Sequence, residues 1–390
     1  MKKFIAAACA ALAALTAISP AALAAPAATL KIISQPVYED TGDFSEGLCW
    51  VTKDGENYQY IDEDGNVVID NINFNRIFGK SKSFLTGSLA AAMDFHEGLA
   101  AVIGNPDGLA PRTVYIDKKG KIALRANDIL GGYVYGSSFI GGLAVCSVYD
   151  GSAELRYVSL LQGDGAHREL KGGCFEVASS RYANGLIPVA ASDGQFGYLN
   201  GDSQMAIKPQ YQAASPFYGG VAFVMQGDKW GMIDTGGNYI VKPEFDGLYP
   251  PDISAGSFFS DGFMCVRKGL KWGFIDEKGA LRGGYDWDSI SVFKNGLAPV
   301  QKGELYGYIN TGMKTVIKPQ YDDANFFYDG CALVGNKGVY KLIDEQGRDA
   351  SSQTWNLNMT RVSDSAPNMV FYQDTDGYIG VARIVANGRQ

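Results

Sequence analysis

The sequence predicts an all-β repeat protein of about eight three-stranded units, arranged as a β-propeller-like ring or, alternatively, as an open β-solenoid. Glycine supplies 49 of the 390 residues, against a usual ~7%, and this excess indicates many tight turns. The chain also has 22 Tyr, 20 Phe and 5 Trp, enough to bury a large core, which excludes bulk disorder. One residue pattern recurs along most of the chain, as is typical of repeat architectures.

The first 24 residues have the pattern of an export signal. Two lysines near the start provide positive charge, residues 4–18 are uncharged and apolar, and Pro20 breaks the stretch. Ala22-Leu23-Ala24 then supplies an A-x-A cleavage site. We therefore expect residues 1–24 to be a signal peptide and the chain to be secreted or associated with the cell envelope. An uncleaved anchor is the alternative, and no membrane span is expected after cleavage.

Composition excludes several functional classes. The chain carries 34 basic and 42 acidic residues, which gives no electrostatic footprint for nucleic acid. Its two histidines, His96 and His167, leave little basis for His-based zinc sites or Ser-His-Asp triads. No catalytic, metal-binding or cofactor-binding residue is predicted, and no cofactor.

Five cysteines follow the signal segment, and no CxxC motif occurs among them. Export permits disulfides, but the number is odd and three of the cysteines fall in the same strand of different repeats. We therefore expect mostly free, buried thiols. The five are Cys49, Cys146, Cys174, Cys265 and Cys331.

The repeat is clearest around an aromatic-glycine pair, which an aliphatic residue and then Asp or Asn follow. Eleven residues after the glycine, three of the four best copies carry Lys-Pro. A second block, of the general form Phe-x-x-Gly-apolar-x-x-Val, accompanies the pair, and weaker copies extend the pattern to about eight over residues 44–349. The repeat-motif residues are Phe196, Gly197, Trp230, Gly231, Trp272, Gly273, Tyr306 and Gly307, with Pro209, Pro243 and Pro319.

Each unit is predicted to contain three short strands separated by turns. In one copy these are Leu297–Val300, Leu305–Ile309 and Thr315–Ile317, after a turn at Asn295-Gly296. The glycine of the aromatic-glycine pair allows a bulge or a close backbone approach. Proline cannot donate a ladder hydrogen bond, so Lys-Pro is expected to end the third strand.

These blocks resemble the bacterial WG-repeat family, named for its Trp-Gly pair. The resemblance covers about four-fifths of the chain and implies a repeated β-structure, but it implies no defined activity. Strict Trp-Gly occurs only at 230–231 and 272–273. Elsewhere Gln59, Val114, Arg156 or Lys341 replaces the glycine, so those units are expected to be distorted.

The segments outside the repeats predict how the structure closes. Residues 25–43, with Leu30–Ser34, are expected to form an entry strand, and residues 350–390 a C-terminal β-hairpin cap. Pairing between them would close a ring, which favours the propeller over the solenoid. No long helix is predicted.

Four features of the repeats are compatible with chemistry, but each has a structural interpretation that we favour. The D/N-x-x-G turns, as at Asp62, are expected to be hairpin turns rather than calcium loops. The Lys-Pro lysines are expected to be solvated rather than bound to an anionic polymer, and the repeated aromatics to pack in the core rather than stack on sugars. The paired acidic residues are expected to lie in solvated turns rather than act as acid/base pairs; they are Asp286, Asp288, Asp322 and Asp323.

The sequence therefore favours an exported, non-enzymatic repeat scaffold that binds a protein or a cell-envelope polymer such as a polysaccharide. Two alternatives stay open: a glycan-acting enzyme whose carboxylates converge in a channel, and a purely structural surface protein. Several carboxylates about 5–10 Å apart in one pocket would favour the enzyme.

Overall fold

The computed structural model contains nine antiparallel sheets of four strands each within the residues that it describes. The described ranges are 28–78, 88–105, 111–152, 154–170, 176–177, 182–249, 259–363, 366 and 368–386. The sheets follow one another along the chain and form the blades of a β-propeller, and we number them blades 1 to 9. The expected signal peptide lies outside the described residues.

The first strand of the chain, β1 (Ala28–Tyr38), belongs to the last blade, and the next four blades follow in order. Blade 1 consists of β2 (Asp40–Thr41), β3 (Leu48–Thr52), β4 (Tyr58–Asp62) and β5 (Val67–Ile72), followed by helix α1 (Phe74–Phe78). Blade 2 consists of β6 (Ser88–Ala92), β7 (Leu99–Asn105), β8 (Arg112–Asp117) and β9 (Ile122–Arg125), followed by helix α2 (Ala126–Leu130). Blade 3 consists of β10 (Tyr133–Gly136), β11 (Leu143–Tyr149), β12 (Leu155–Gln162) and β13 (His167–Leu170), and blade 4 of β14 (Glu176–Val177), β15 (Leu186–Ala190), β16 (Phe196–Asn200) and β17 (Met205–Tyr211).

The remaining five blades repeat the same order of strands. Blade 5 consists of β18 (Ala213–Ala214), β19 (Val221–Gln226), β20 (Lys229–Asp234) and β21 (Tyr239–Phe245), and blade 6 of β22 (Gly247–Tyr249), β23 (Phe263–Lys268), β24 (Lys271–Asp276) and β25 (Leu281–Trp287). Blade 7 consists of β26 (Ser289–Ile290), β27 (Leu297–Lys302), β28 (Leu305–Asn310) and β29 (Thr315–Tyr321), and blade 8 of β30 (Asp323–Ala324), β31 (Cys331–Asn336), β32 (Val339–Asp344) and β33 (Asp349–Asn356). Blade 9 consists of β34 (Asn358–Val362), β35 (Met369–Gln373), β36 (Ile379–Ala386) and β1.

The two ends of the described chain close the ring. Strand β1 pairs antiparallel with β36 from Ala28↔Ala386 to Tyr38↔Ile379, with two register shifts. Blade 9 is therefore built from both termini, and the propeller interpretation is confirmed over the open solenoid. The blades number nine rather than about eight because this last blade is split between the termini.

The strand that the sequence did not predict is the first of each blade, which is only two or three residues long in six of the nine blades. In blade 5 this strand is Ala213–Ala214, and it pairs only with Met225 and Val224 of the second strand. Two residues carry no alternation of apolar and polar side chains, so sequence periodicity does not reveal such a strand. Neither helix in the described part of the chain is long and apolar enough to span a membrane.

The hydrophobic core lies between blades rather than within them. Each of the nine clusters of buried residues among the described segments joins two consecutive blades. One cluster joins Tyr308 of blade 7 to Phe327 of blade 8, and another joins Leu30 of blade 9 to Leu333 of blade 8. An isolated sheet would leave these faces in water, so each blade depends on its neighbours.

One contact between blades recurs, and we name it the Tyr–Phe latch. A tyrosine on the third strand of one blade packs on the phenylalanine that begins the Phe-x-x-Gly block of the next. The rings of Tyr198 and Phe217 have centroids 4.8 Å apart, and the Tyr198 hydroxyl donates to the Ser215 carbonyl at 2.8 Å. Burial raises the pKa of Tyr198 well above its ordinary value. Three further latches have the same two contacts. The ring pairs are Tyr60–Phe95, Tyr115–Phe139 and Tyr308–Phe327. The three hydroxyls donate to the carbonyl oxygens of Met93, Ser137 and Asn325, respectively.

The Phe-x-x-Gly turns form a second set of links between blades. In blade 7, Asn295 and Gly296 have φ values of 53° and 82°, the left-handed pair that a type I′ hairpin turn needs. The Gly296 N–H donates to Asp261 Oδ2 of blade 6 at 2.7 Å, and Asn295 Nδ2 donates to the Phe327 carbonyl of blade 8 at 2.8 Å. This turn therefore connects blade 7 to the blades on both sides.

The cysteines are buried and unpaired where the structure describes them. Cys49, Cys146, Cys265 and Cys331 are free and buried. Burial raises the pKa of Cys146 to about 12, so this thiol is un-ionised and unreactive near neutrality. Cys174 lies outside the described residues.

The hydroxyl of the Tyr–Phe latch makes a measurable contribution to stability. Replacing Tyr198 or Tyr308 with Phe should lower the free energy of unfolding by about 1–2 kcal/mol each, because a buried carbonyl loses its donor. Tyr239→Phe is the matched control, since Tyr239 is 37% exposed and should change stability by less than about 0.5 kcal/mol. Urea unfolding measures all three, and equal midpoints for Tyr198→Phe and the control would show that the hydroxyl contributes nothing.

Candidate functional site

The aromatic-glycine pairs lie on the third strand of their blades, with the glycine against the fourth strand. A Cβ on Gly307 would lie 2.3 Å from the Ile317 carbonyl oxygen and 2.6 Å from the Pro319 nitrogen. No side chain fits that space, which explains the glycine. Gly197 and Gly231 face the backbone at Pro209 and Pro243 in the same way, and Gly273 faces the Gly284 carbonyl.

The Lys-Pro dipeptides lie within the fourth strand, so the expectation that they end a strand is wrong. In blade 7 the strand continues through Pro319 to Tyr321, which pairs with Tyr306. The register shifts on both sides of Tyr308, and this bulge accommodates a residue that cannot donate. The fourth strand is the edge of its sheet, where lysine and proline discourage pairing with another chain. The three lysines, Lys208, Lys242 and Lys318, are exposed.

The D/N-x-x-G segments are turns whose first side chain accepts hydrogen bonds from the backbone. Asp62 Oδ1 accepts the N–H groups of Asp64 at 3.0 Å and Asn66 at 2.8 Å. Gly65 has a φ of 83°, as such a turn requires. Among the residues that the structure describes, no group of three or more His, Cys, Asp or Glu side chains is placed to hold a metal ion.

The paired acidic residues connect hairpins. Asp288 Oδ2 accepts the Gly303 N–H of blade 7 at 2.9 Å, and Asp288 Oδ1 forms an ion pair with Lys271 of blade 6. Hydrogen bonds from Lys271 and Gly303 lower the pKa of Asp288. Asp322 likewise accepts the Lys337 N–H at 2.7 Å. Asp288 and Asp322 are therefore structural acceptors, and Asp323 accepts the Tyr340 hydroxyl at 2.8 Å.

Asp94 is the one Asp or Glu in the described part of the chain whose pKa is clearly raised. Burial raises it to about 6, with a smaller contribution from the Asp43 carboxylate, while the Asp43 N–H and Arg361 oppose the shift. Asp94 Oδ1 accepts the Asp43 N–H at 3.1 Å, and this bond joins blades 1 and 2. The sequence analysis did not identify this group, because the position of Asp94, just before Phe95, varies among the repeats.

Blade 6 differs from its neighbours in its aromatic residues. In blades 5 and 7 the fourth-strand aromatics Phe245 and Tyr321 are only 1% and 3% exposed. The corresponding Trp287 in blade 6 is half-buried and pairs across the strands with Trp272. Tyr249, at a position that is Ser215 in blade 5, is 36% exposed. Its ring lies 6.4 Å from that of Trp272, at 85°.

Two basic side chains lie against these rings. The Arg267 guanidinium is 5.9 Å from the Trp272 ring centroid, and Lys302 Nζ of blade 7 is 5.7 Å from that of Trp287. Leu305 pairs with Lys302 across the second hairpin and shares its face of the sheet. We name this surface the blade 6–7 patch; it comprises Tyr249, Arg267, Trp272, Trp287, Lys302 and Leu305.

Comparison with known proteins places the repeats in a family. The family model described as "WG containing repeat" matches residues 29–56, 196–230, 230–272, 272–306 and 306–340. Each of the four contiguous matches begins at an aromatic-glycine pair, and the last ends at Tyr340, where Lys341 replaces the glycine. The first match covers β1 and the start of blade 1. No curated protein has a sequence that matches this chain.

Solved structures resemble the chain in fold. A eukaryotic initiation factor is 10% identical with a TM-score of 0.51, over 82% of this chain and 88% of that one. BamB from Moraxella catarrhalis is 13% identical with a TM-score of 0.39, over 76% of this chain and 100% of that one. The WD40 β-propeller domain of Doa1 is 10% identical with a TM-score of 0.35, over 70% of this chain and 93% of that one. At such low identity the likeness concerns the fold alone.

Adding one methyl group at Gly307 should be strongly destabilising. The variant Gly307→Ala is expected to lose about 2–3 kcal/mol of unfolding free energy, because its Cβ would collide with backbone that cannot move without breaking the bulge. Gly151→Ala is the control, since nothing lies within 4 Å of a Cβ there, and it should change stability by less than about 0.5 kcal/mol. Equal urea midpoints for the two variants would contradict the close-approach explanation.

Asp94 should make stability depend on pH. Its pKa is about 6 in the folded protein and ~3.9 when unfolded, so the folded state holds the proton more tightly and stability falls as pH rises from about 4 to 6. Asp94→Asn should therefore gain about 1–3 kcal/mol relative to wild type at pH 7.5, and lose that gain near pH 4. Urea unfolding across this range measures it, with the exposed Asp376→Asn as a control. A difference from wild type that is the same at both pH values would refute the assignment.

Proposed function

Because this chain belongs to the family of WG-repeat proteins, we propose that it is an exported, non-enzymatic scaffold that binds a partner protein through the surface of its propeller. A cell-envelope polysaccharide is the alternative partner. Residues 1–24 support export, since they combine positive charge, an apolar stretch and a small-residue cleavage site. Repetition around a ring supports binding, because it presents equivalent loops side by side.

The main support for the proposal is that the repeated carboxylates accept hydrogen bonds from the backbone. A glycan-acting enzyme needs two carboxyl groups that face one substrate bond. Here Asp288 and Asp322 each accept a hydrogen bond from a backbone N–H of a hairpin. Asp62 accepts hydrogen bonds from the N–H groups of its own turn. The repeated acidic residues thus stabilise their own blades around the ring, which leaves the propeller as a binding surface.

One observation favours the second candidate, a glycan-acting enzyme. Asp94 lies beside Asp43 and has a pKa raised to about 6, and a carboxyl pKa raised in this way is what a general acid requires. Both residues are half-buried. The contact between Asp94 and the Asp43 N–H also has a purely structural interpretation, as a link between blades 1 and 2, so activity must decide between the two.

Binding and hydrolysis assays on residues 25–390 separate these functions. We expect saturable capture of a protein from an envelope extract, no saturable binding on a glycan array, and no release of reducing sugar ends from envelope polysaccharides. Release of reducing ends that Asp94→Asn abolishes would establish the enzyme instead. Absence of saturable binding to proteins and to glycans would leave only a structural role.

A parallel experiment tests export by expressing residues 1–390, starting at Met1. The expected product lies outside the cytoplasm and begins at Ala25 by intact mass, and replacement of Ala22 and Ala24 with Leu should block its processing. A product that stays in the cytoplasm with Met1 intact would overturn the export proposal.

A further inference from the structure

We propose that the blade 6–7 patch is the binding site, and that its ligand is an extended protein segment with an apolar anchor residue beside acidic ones. This inference deepens the proposed function and rests on it. Three observations support it: the lining of the patch, its difference from the equivalent surfaces of blades 5 and 7, and its charge.

The lining is aromatic on one side and aliphatic on the other. Trp272 and Trp287 come from adjacent strands of blade 6, and Tyr249 meets Trp272 edge-on. Leu305 of blade 7, 36% exposed, lies across from them beside Lys302. At the rim, the hairpin residue Leu270 is 86% exposed. An apolar side chain inserted here would remove several large apolar surfaces from water.

Blades 5 and 7 lack apolar residues at two positions equivalent to those of this surface. The position of Tyr249 is Ser215 in blade 5, where it is fully buried, and Ser291 in blade 7. The hairpin position of Leu270 is Asp228 in blade 5 and Glu304 in blade 7. The repeat alone therefore does not require these apolar residues, and their placement together in blade 6 indicates a purpose beyond packing.

The charge of the patch favours an acidic partner. Among the described residues, the hydrogen bonds of Arg267 go to the Asp246 and Gly269 carbonyl oxygens at 2.9 and 2.8 Å. Lys302 donates to the Asp286 carbonyl at 2.6 Å. Asp246 and Asp288 interact electrostatically with Arg267 and Lys302, but each of these carboxylates also pairs directly with another cation, Lys229 or Lys271. The four basic groups therefore outnumber these two carboxylates. Nearby lysines are different, since Lys271 forms an ion pair with Asp288 and Lys268 with Glu244.

The ring geometry favours a peptide over a sugar. Sugars stack on open aromatic faces, but Arg267 and Lys302 already lie over the faces of Trp272 and Trp287. The accessible apolar surface thus consists of ring edges, the Tyr249 ring and the leucines. An aliphatic or aromatic side chain fits such a surface, and flanking carboxylates can reach the two cations.

Fluorescence polarisation with labelled decapeptides tests the site on residues 25–390. The probes carry a central Trp, Phe or Leu flanked by Glu, together with matched sets in which Lys replaces Glu or Ala replaces the central residue. We expect saturable binding of the acidic, anchored set, at least tenfold weaker binding of both matched sets, and weaker binding at higher salt. Equal binding of all three sets would overturn the proposal.

Three variants assign the binding to the patch. Lys302→Glu and Tyr249→Ser should each weaken binding at least tenfold, and Ser is compatible with the fold because blades 5 and 7 carry it at the same position. Lys318→Glu makes the same charge change on the exposed fourth strand of blade 7 and should change affinity less than twofold. Urea midpoints close to wild type show that the variants fold. Unchanged affinity in both patch variants would place binding elsewhere.

The outcomes distinguish failure of the site from failure of the function. If an acidic glycan probe, polygalacturonate, binds in a Lys302-dependent manner and the peptides do not, the patch is a glycan site and the peptide proposal is wrong. If an envelope protein is captured equally by wild type and Lys302→Glu, the scaffold function stands and this site fails. If nothing is captured, the scaffold function itself fails.

Discussion

The structure depends on the contact between blades. A four-stranded antiparallel sheet exposes two apolar faces, and here all nine described clusters of buried residues lie between neighbouring sheets. At four of the nine contacts among the described residues a Tyr–Phe latch links the two blades, because the ring packs on the next blade while the hydroxyl donates to its backbone. Closure through β1 and β36 brings blade 9 against blade 1, and a cluster of buried residues joins the two.

Much of this architecture is readable in the sequence. The aromatic-glycine spacing and the Phe-x-x-Gly block predict an all-β repeat, and both blocks turn out to hold the residues of the latch and of the close approach at Gly307. Three features escaped. Most of the first strands, with two or three residues each, are too short to show periodicity. The ninth blade is divided between the two ends of the described chain. Pro319 lies inside a strand because a bulge removes the need for its missing N–H.

The candidate sites were harder to predict, for a physical reason. Repetition marks the residues that build blades, such as Asp288 and Tyr308, and these are engaged in structure. Departures from the repeat are what identify a site. Tyr249 and Leu270 differ from the residues at the same positions in blades 5 and 7, but only their exposure and the contact of Tyr249 with Trp272 give that difference meaning. Asp94 could be identified only from the structure, because its raised pKa results from burial.

A double-mutant cycle across one latch tests the central claim most directly. The unfolding free energies of Tyr198→Leu, Phe217→Leu and the double variant give the coupling between blades 4 and 5. Our account predicts a coupling of about 1–2 kcal/mol, while the distant pair Tyr198 and Phe327 should be additive within about 0.5 kcal/mol. Additive effects for Tyr198 and Phe217 as well would contradict the claim that this contact holds the blades together.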